Sequence, residues 1–295
     1  QVGESPITNQ LAKSRQIEHT QNLANYYRDL SNPVPSAKIY LSGFAGRVSM
    51  YLIRRPVINI WQTQLKSLTL ALVSNGLLVN GRSDFLANVL GERIEIGLIP
   101  SPLKDVEVGK QILITRDLPE RKDEVYQFAI FDYLKNKLIK PNERTLVVFS
   151  NQAQTLEFFE ANKSQIEGVE VLSQNVAGNV EILKDKLVGM SSFALLINNS
   201  SIPKYLPVVE NLDKVIFLTL PFDPPGTLGQ VIAKERFKDE FTDYGLPRST
   251  IKFRNYLAQF YFKTKEIWIL DSRLANTDWG RTVPQSLSGF QILEV

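Results

Sequence analysis

Cysteine is absent from the 295 residues, and histidine occurs once, at His19. Without thiols the chain can form no disulfide, no zinc–thiolate site and no cysteine-held iron–sulfur cluster of its own. A single imidazole excludes a multi-histidine metal site, and any Ser-His-Asp triad would have to recruit His19. That residue lies in the polar, helix-like stretch Gln16–Tyr27, where an exposed or capping role suits it. Methionine is nearly as scarce, at Met50 and Met190, and the first residue is Gln1, as expected of a chain processed or cut from a longer one. No apolar run approaches the roughly 20 residues of a membrane span, and no signal-peptide pattern is present. The expected location is cytoplasmic, with no membrane partner.

What is present reads as a globular chain. Hydrophobic residues make up 43% and charged residues 22%, and the length suits two domains with real cores. Lys and Arg number 34 against 31 Asp and Glu, a net charge of +3. That balance is too even to imply a polyanionic partner without a local patch.

Along the chain the rhythm changes once. Residues 1–35 are polar, with a narrow apolar helical face over Gln10–Leu30 that ends at Asn32-Pro33-Val34-Pro35. Lys38–Ile60 alternates around Gly43 and Gly46 and predicts a β-hairpin or meander. Ser67–Val73 predicts a buried strand, and Asp84–Leu90 a short helix closed by Gly91. From about residue 110, strands and helices alternate. Strands are expected at Gln111–Thr115, Thr145–Phe149, Val169–Leu172, Phe193–Ile197, Lys214–Leu220 and Ile267–Leu270. Helices are expected at Lys122–Lys137, Ala153–Asn162, Val180–Leu187, Leu228–Glu240 and Pro247–Phe262. In the first of these, Val125, Phe128, Ala129, Tyr133 and Leu134 form the expected inner side. Short apolar strands alternating with helices imply an α/β fold, a parallel sheet covered by helices on both faces, preceded by a smaller α+β segment.

Such a sheet binds its ligands at the carboxyl ends of its strands. Those ends are Ser150-Asn151, Asn198–Ser201 and Pro221–Asp223. Asn and Ser there can serve phosphate and sugar oxygens, or simply cap helices and form turns. The chain has neither a Gly-x-x-x-x-Gly-Lys-Ser/Thr nor a Gly-x-Gly-x-x-Gly run. The paired carboxylates Asp123-Glu124 and Asp239-Glu240 fall on predicted helices as solvated charge. No metal site and no complete catalytic constellation emerge. One basic cluster, Arg248, Lys252, Arg254, Lys263 and Lys265, is interleaved with Phe253, Tyr256, Phe260, Tyr261 and Phe262. The aromatics at 253, 256 and 260 share a helical face with Leu257, so the cations lie elsewhere on the helix, as solvated charge or as phosphate contacts.

The order of segments from Leu68 onward resembles the C-terminal half of the DinG/XPD group of superfamily-2 helicases. Thr145–Asn151 (Thr-Leu-Val-Val-Phe-Ser-Asn) is similar to the family's Thr-Leu-Val-Leu-Phe-Thr-Ser, which opens the second motor domain. Val215–Pro225 resembles the strand that ends in Leu-Pro-Phe-x-x-Pro. Tyr244–Pro247, a helix and then Leu270-Asp271-Ser272-Arg273 resemble the closing section, and Trp279-Gly280 its later Tyr-Gly. Leu72–Leu77 stands where the family has Leu-Thr-Ser-Ala-Thr-Leu, and Ser101-Pro102-Leu103 resembles its Ser-Pro-Phe. The resemblance spans about 220 residues. It implies a RecA-like domain over residues 105–295, preceded over 1–104 by the remainder of a first motor and arch region. It implies contact with single-stranded DNA through Ser150, Asn151, Asn199 and Ser200, and a nucleotide side carrying Arg254, Asn255, Gln259 and Arg273.

The departures are as informative. The family's Gln-x-x-Gly-Arg-x-Ile-Arg motif places two guanidiniums on the ATP phosphates, and such a contact is worth roughly 10³–10⁵ in rate where it operates. Here that stretch reads Asn255-Tyr256-Leu257-Ala258-Gln259-Phe260-Tyr261-Phe262, with Gln259 and Phe262 in place of both arginines. Asn75-Gly76 replaces Ala-Thr, and Ser200–Pro207 lacks the family's Glu-Gly and Asp. The resemblance therefore implies no cofactor for this chain alone, with ATP and Mg bound only together with the missing first motor domain, the N-terminal half of the same protein. It leaves two functional readings open. One is the C-terminal part of an ATP-dependent DNA helicase, inactive as an ATPase alone. The other is a decayed helicase domain that binds nucleic acid or protein, attached to an exonuclease as in longer Gram-positive members. An unrelated α/β enzyme of small molecules would need a constellation that the sequence does not contain.

Overall fold

The structure, a computed structural model, describes residues 111–287 and 290–295, together with 38–44, 47–53, 78–79, 81–90 and the single positions 17, 20 and 21. The chain divides into two compact units, Gln1–Ala71 with Pro224–Arg236, and Leu72–Asp223 with Phe237–Val295. The expected strand Ser67–Val73 and the boundary between residues 104 and 105 lie outside the described residues, as does most of the expected helix Gln10–Leu30.

In the first unit, β1 (Lys38–Phe44) and β2 (Arg47–Ile53) pair antiparallel, from Lys38 opposite Ile53 to Phe44 opposite Arg47. This is the expected hairpin. The same unit holds a helix, Leu228–Arg236, four residues shorter than the apolar pattern suggests.

The second unit carries α1 (Asp84–Leu90) and a seven-stranded parallel sheet. Its strands are β3 (Gln111–Ile114), β4 (Arg144–Phe149), β5 (Glu170–Ser173), β6 (Phe193–Asn198), β7 (Leu212–Phe217), β8 (Thr264–Ile269) and β9 (Gln291–Glu294). Their order across the sheet is β5-β6-β4-β7-β8-β3-β9. The central strands read as unbroken apolar runs because both faces are covered. Leu146 to Phe149 and Phe193 to Ile197 are all fully buried.

Two hydrophobic layers result. On one face α2 (Tyr126–Tyr133) and α3 (Gln152–Asn162) bring Tyr126, Ile130 and Phe158 onto Val147, Phe149 and Leu196. On the other, α4 (Val180–Val188), the short α5 (Ile202–Tyr205) and α6 (Leu246–Phe260) pack on Leu146, Val148 and Val215. Phe253, Leu257 and Phe260 of α6 are fully buried, each contributing about 1.5–3 kcal/mol by leaving water. Phe217 meets Phe253 edge-on at a ring separation of 5.0 Å.

The inner face of α2 differs from expectation. Tyr126, Ile130 and Leu134 point into the core, whereas Val125 and Phe128 are 60% and 76% exposed. The helix starts at Tyr126, not Lys122, and widens to a π-turn over Leu134–Leu138, which keeps Leu134 and Leu138 inward. A second π-turn, Phe241–Gly245, leads into α6. It is started by a reciprocal cap: Asp239 Oδ1 accepts from the N–H of Phe241 at 2.9 Å, and Asp243 Oδ2 accepts from that of Asp239 at 3.1 Å. Strand β9 leaves little trace in the sequence, since only Ile292 and Leu293 in it are apolar.

A polar network closes the amino-terminal edge of the sheet. Lys214 is 6% exposed, and its ammonium meets Glu143 at 2.5 Å and the carbonyl of Leu138 at 3.4 Å. Asp213 accepts from Lys265 at 2.6 Å and from the Arg144 N–H at 2.8 Å. Burial pushes the Asp213 carboxyl up, but these partners outweigh it and hold the group below the usual carboxylate range.

Candidate strand-end site

The chain leaves β4 toward β5 at one edge and leaves β7 toward β8 on the opposite side. Because β4 and β7 are neighbours, a topological switch point lies between their carboxyl ends. Ser150 follows β4 and Thr219 lies two residues past β7. Their hydroxyls stand 3.0 Å apart across that point.

Asn151 caps α3. Its Oδ1 accepts from the N–H of Gln154 at 3.0 Å, and its carbonyl accepts from the Thr155 hydroxyl at 2.9 Å. The Asn151 side chain is exposed, and no acidic residue occupies the first turn of α3, so the helix amino terminus keeps its partial positive charge. Beside it runs a chain of neutral amides. Gln152 Oε1 accepts from Asn175 Nδ2 at 3.2 Å and lies 3.5 Å from Gln174 Nε2. Gln174, 1% exposed, accepts the Asn198 N–H at 3.1 Å. Asn198 Oδ1 in turn accepts from the Ser200 hydroxyl at 2.7 Å and the Ser201 N–H at 3.1 Å. Asn199 is 7% exposed, and its Oδ1 is buried without a hydrogen-bond partner. Ser150, Asn151, Asn199 and Ser200 thus lie together along the carboxyl ends of β4 and β6. Gln152, Gln174 and Thr219 belong to the same edge, beyond the residues expected from the sequence. A polar residue directly after an apolar strand run is the signal that could have found Gln174 and Thr219.

The loop after β7 is tied at successive residues. Thr219 meets Ser150, and the Leu220 N–H reaches Asp271 Oδ2 at 3.3 Å. The Phe222 ring stacks on Phe241 at 5.8 Å and meets Trp279 edge-on at 6.1 Å. Asp271, 3% exposed, is gripped by Arg273 through two hydrogen bonds of 2.7 Å, and the guanidinium lies 5.3 Å from the Trp279 ring centre and 5.9 Å from that of Phe222. The Tyr126 phenol nearby is pushed up to about 12 by burial, with the Asp271 charge adding to it. Trp279 and Gly280 open a helix, α7 (Asp278–Gln285), capped by Thr277. A Cβ on Gly280 would stand 1.9 Å from the Arg273 carbonyl oxygen, so glycine is required for the close approach.

Of the four residues expected on the nucleotide side, three lie on α6 and one follows β8. Arg254, Asn255 and Gln259 follow one another along the second half of α6, which leads to the amino end of β8. Arg273 follows the carboxyl end of that strand. Gln259 is exposed and Phe262 is 65% exposed. The basic cluster is largely engaged. Asp223 pairs with Arg248 and, at 3.4 Å, with Lys252. Lys263 donates to the Val209 carbonyl at 3.1 Å, and Lys265 pairs with Asp213. Exposed pairs of this kind contribute at most about 1 kcal/mol each. Among the described residues, no three His, Cys, Asp or Glu side chains gather to hold a metal ion, and no helix is long and apolar enough to cross a membrane.

These features define an α/β domain with a RecA-like arrangement, a parallel sheet covered by helices on both faces. The solved structure of an XPD helicase superposes on 94% of this chain with a TM-score of 0.62 at 15% identity. The chain spans about half of that helicase, 51% of its length. The S. tokodaii protein Xpd4 aligns over 68% of the chain at 14% identity with a TM-score of 0.44, and the Pyrococcus furiosus Hef helicase domain over 66% at 9% with 0.34. No family model and no curated protein matches the sequence. The chain has an XPD-type, helicase-like fold.

Proposed function

We propose that the chain is the C-terminal part of a DinG-like, ATP-dependent DNA helicase, and that its strand-end site contacts single-stranded DNA in the whole protein. The observation that carries this reading is the gathering of Ser150, Asn151, Asn199 and Ser200 beside the switch point of an XPD-like sheet. Hydroxyls, amides and a helix amino terminus suit sugar and phosphate oxygens without reading base identity. In this reading residues 105–295 are the second motor domain and residues 1–104 the remainder of the first motor and arch region. ATP and Mg are then held only with the N-terminal half. The chain itself offers no glycine-rich lysine loop and no arginine at 259 or 262.

One observation favours a second reading, a decayed helicase domain that serves as a binding module. Gln259 and Phe262 are exposed where the family resemblance calls for two guanidiniums. An ATPase assay on the full-length protein separates the two: turnover with single-stranded DNA supports the motor, and DNA binding without turnover supports the module.

The strand contact is tested by anisotropy of a labelled oligo-dT titrated with the chain. The expected result is weak binding that weakens further from low to moderate salt. No binding, or binding indifferent to salt, overturns it. ATP turnover by this chain alone overturns the assignment of an incomplete ATP site.

A further inference from the structure

Arg248 and Lys252 lie one turn apart on α6 and share a single carboxylate, Asp223. Arg248 and Lys252 thus bring two positive charges to that carboxylate. Arg248 engages Asp223 through Nε, its terminal nitrogens make no hydrogen bond among the described residues, and its side chain is 50% exposed. The Arg248 guanidinium also sits 5.8 Å from the centre of the Tyr244 ring, which fixes one of its faces. The Lys252 ammonium reaches the other Asp223 oxygen at the long distance of 3.4 Å. Together the pair presents a fork and a point charge around one oxyanion, the arrangement that suits a phosphate.

Asp223 is delivered to that place by a restrained loop. Thr219, Leu220 and Phe222 are each tied down, and Pro224 and Pro225 follow with fixed φ. The loop therefore has anchors of its own beside the Asp223 carboxylate. We infer that Arg248 and Lys252 form a second phosphate-binding site, at the loop after β7, that Asp223 keeps closed by standing in for the phosphate. The ligand class is the phosphodiester backbone of single-stranded DNA. That choice rests on the proposed strand contact, whereas the site itself rests on the Arg248–Asp223–Lys252 geometry.

The test compares the full chain with Asp223→Asn, Asp223→Ser and the triple variant Asp223→Asn/Arg248→Gln/Lys252→Gln, using labelled oligo-dT and, separately, inorganic pyrophosphate. Removing the carboxylate is expected to tighten oligo-dT binding about tenfold and pyrophosphate binding similarly, and to steepen the logarithmic salt dependence by about 0.7 per phosphate gained. The triple variant is expected to lose the gain in both. A gain with pyrophosphate but no binding of oligo-dT by any variant supports the site and overturns the strand-contact reading. Unchanged affinity for both probes in a folded Asp223→Asn or Asp223→Ser chain overturns the inference. A gain that persists in the triple variant overturns it equally, since the gain then comes from net charge alone.

Discussion

Arg273 turns back on Asp271, two residues before it, and meets both carboxylate oxygens at 2.7 Å. The same carboxylate holds the Leu220 N–H, so one buried group joins the end of β8 to the loop after β7. Arg273→Ala would leave that carboxylate buried and unpaired, at a cost of about 3–5 kcal/mol. Arg273→Lys keeps the charge and loses the fork and the stacking on Trp279, so its loss falls between the two. Urea denaturation followed by tryptophan fluorescence measures both, and an alanine variant as stable as the parent would contradict the assignment.

Gly280→Ala places a methyl group 1.9 Å from the Arg273 carbonyl oxygen and 2.7 Å from the Thr277 hydroxyl. The neighbour is backbone and cannot swing aside. The expected loss is at least the roughly 1–3 kcal/mol of ordinary overpacking, read as a lowered thermal midpoint. An unaltered midpoint would show that the approach is looser.

At Asn151 stability and binding can be separated. Asn151→Ala removes the α3 cap and should cost about 1 kcal/mol. Asn151→Asp retains a cap and adds a charge that the helix amino terminus favours, so stability is kept. The new carboxylate repels phosphate, so oligo-dT binding should fall severalfold in the Asp variant despite its intact fold. Equal binding by the parent and Asn151→Asp would move the strand away from this end of β4.

Tyr126 sets an alkaline limit. Its folded phenol is pushed up to about 12, first by burial and then by Asp271, while an unfolded tyrosine titrates near 10. A raised folded value means that its contribution is complete below pH 10 and is lost as pH rises from about 10 to 12. Tyr126→Phe should flatten that part of the stability curve, measured by denaturation across the alkaline range. A slope identical in both proteins would assign the limit to other groups.

Restoring both guanidiniums, by Gln259→Arg with Phe262→Arg, is expected to leave ATP turnover absent from this chain. Gln259 lies in the last turn of α6 and Phe262 just beyond it, and no glycine-rich lysine loop is present to hold the phosphates they would serve. Phosphate release from ATP by the double variant would refute this.

Much of the fold is readable from single residues. Thr145–Phe149 is apolar at four of five positions because helices cover both faces of β4, and burial on two sides leaves a run that no helix period imitates. In α2 the sequence offers two apolar stripes, Val125 with Phe128 and Tyr126 with Ile130. Only packing on the sheet selects the second, because both stripes have the same period. The π-turn at Leu134–Leu138 adds a residue that a strict 3.6 repeat does not anticipate. In the candidate site, the strand-end residues follow from the strands themselves. The occupation of Arg248 and Lys252 by Asp223 does not, because partners 25 and 29 residues apart leave no periodic trace.

Strand β3 has β8 on one side and β9 on the other, and Gln111 pairs with Gln291 across 180 residues. It is made first of the seven strands, yet both of its neighbours are made last. At a ribosomal rate of about 5–20 residues per second, β3 waits roughly 10–35 s for its outer partner. During that interval its ladder groups are open to any passing edge, so biosynthesis is the stage at which this domain most needs protection from mispairing.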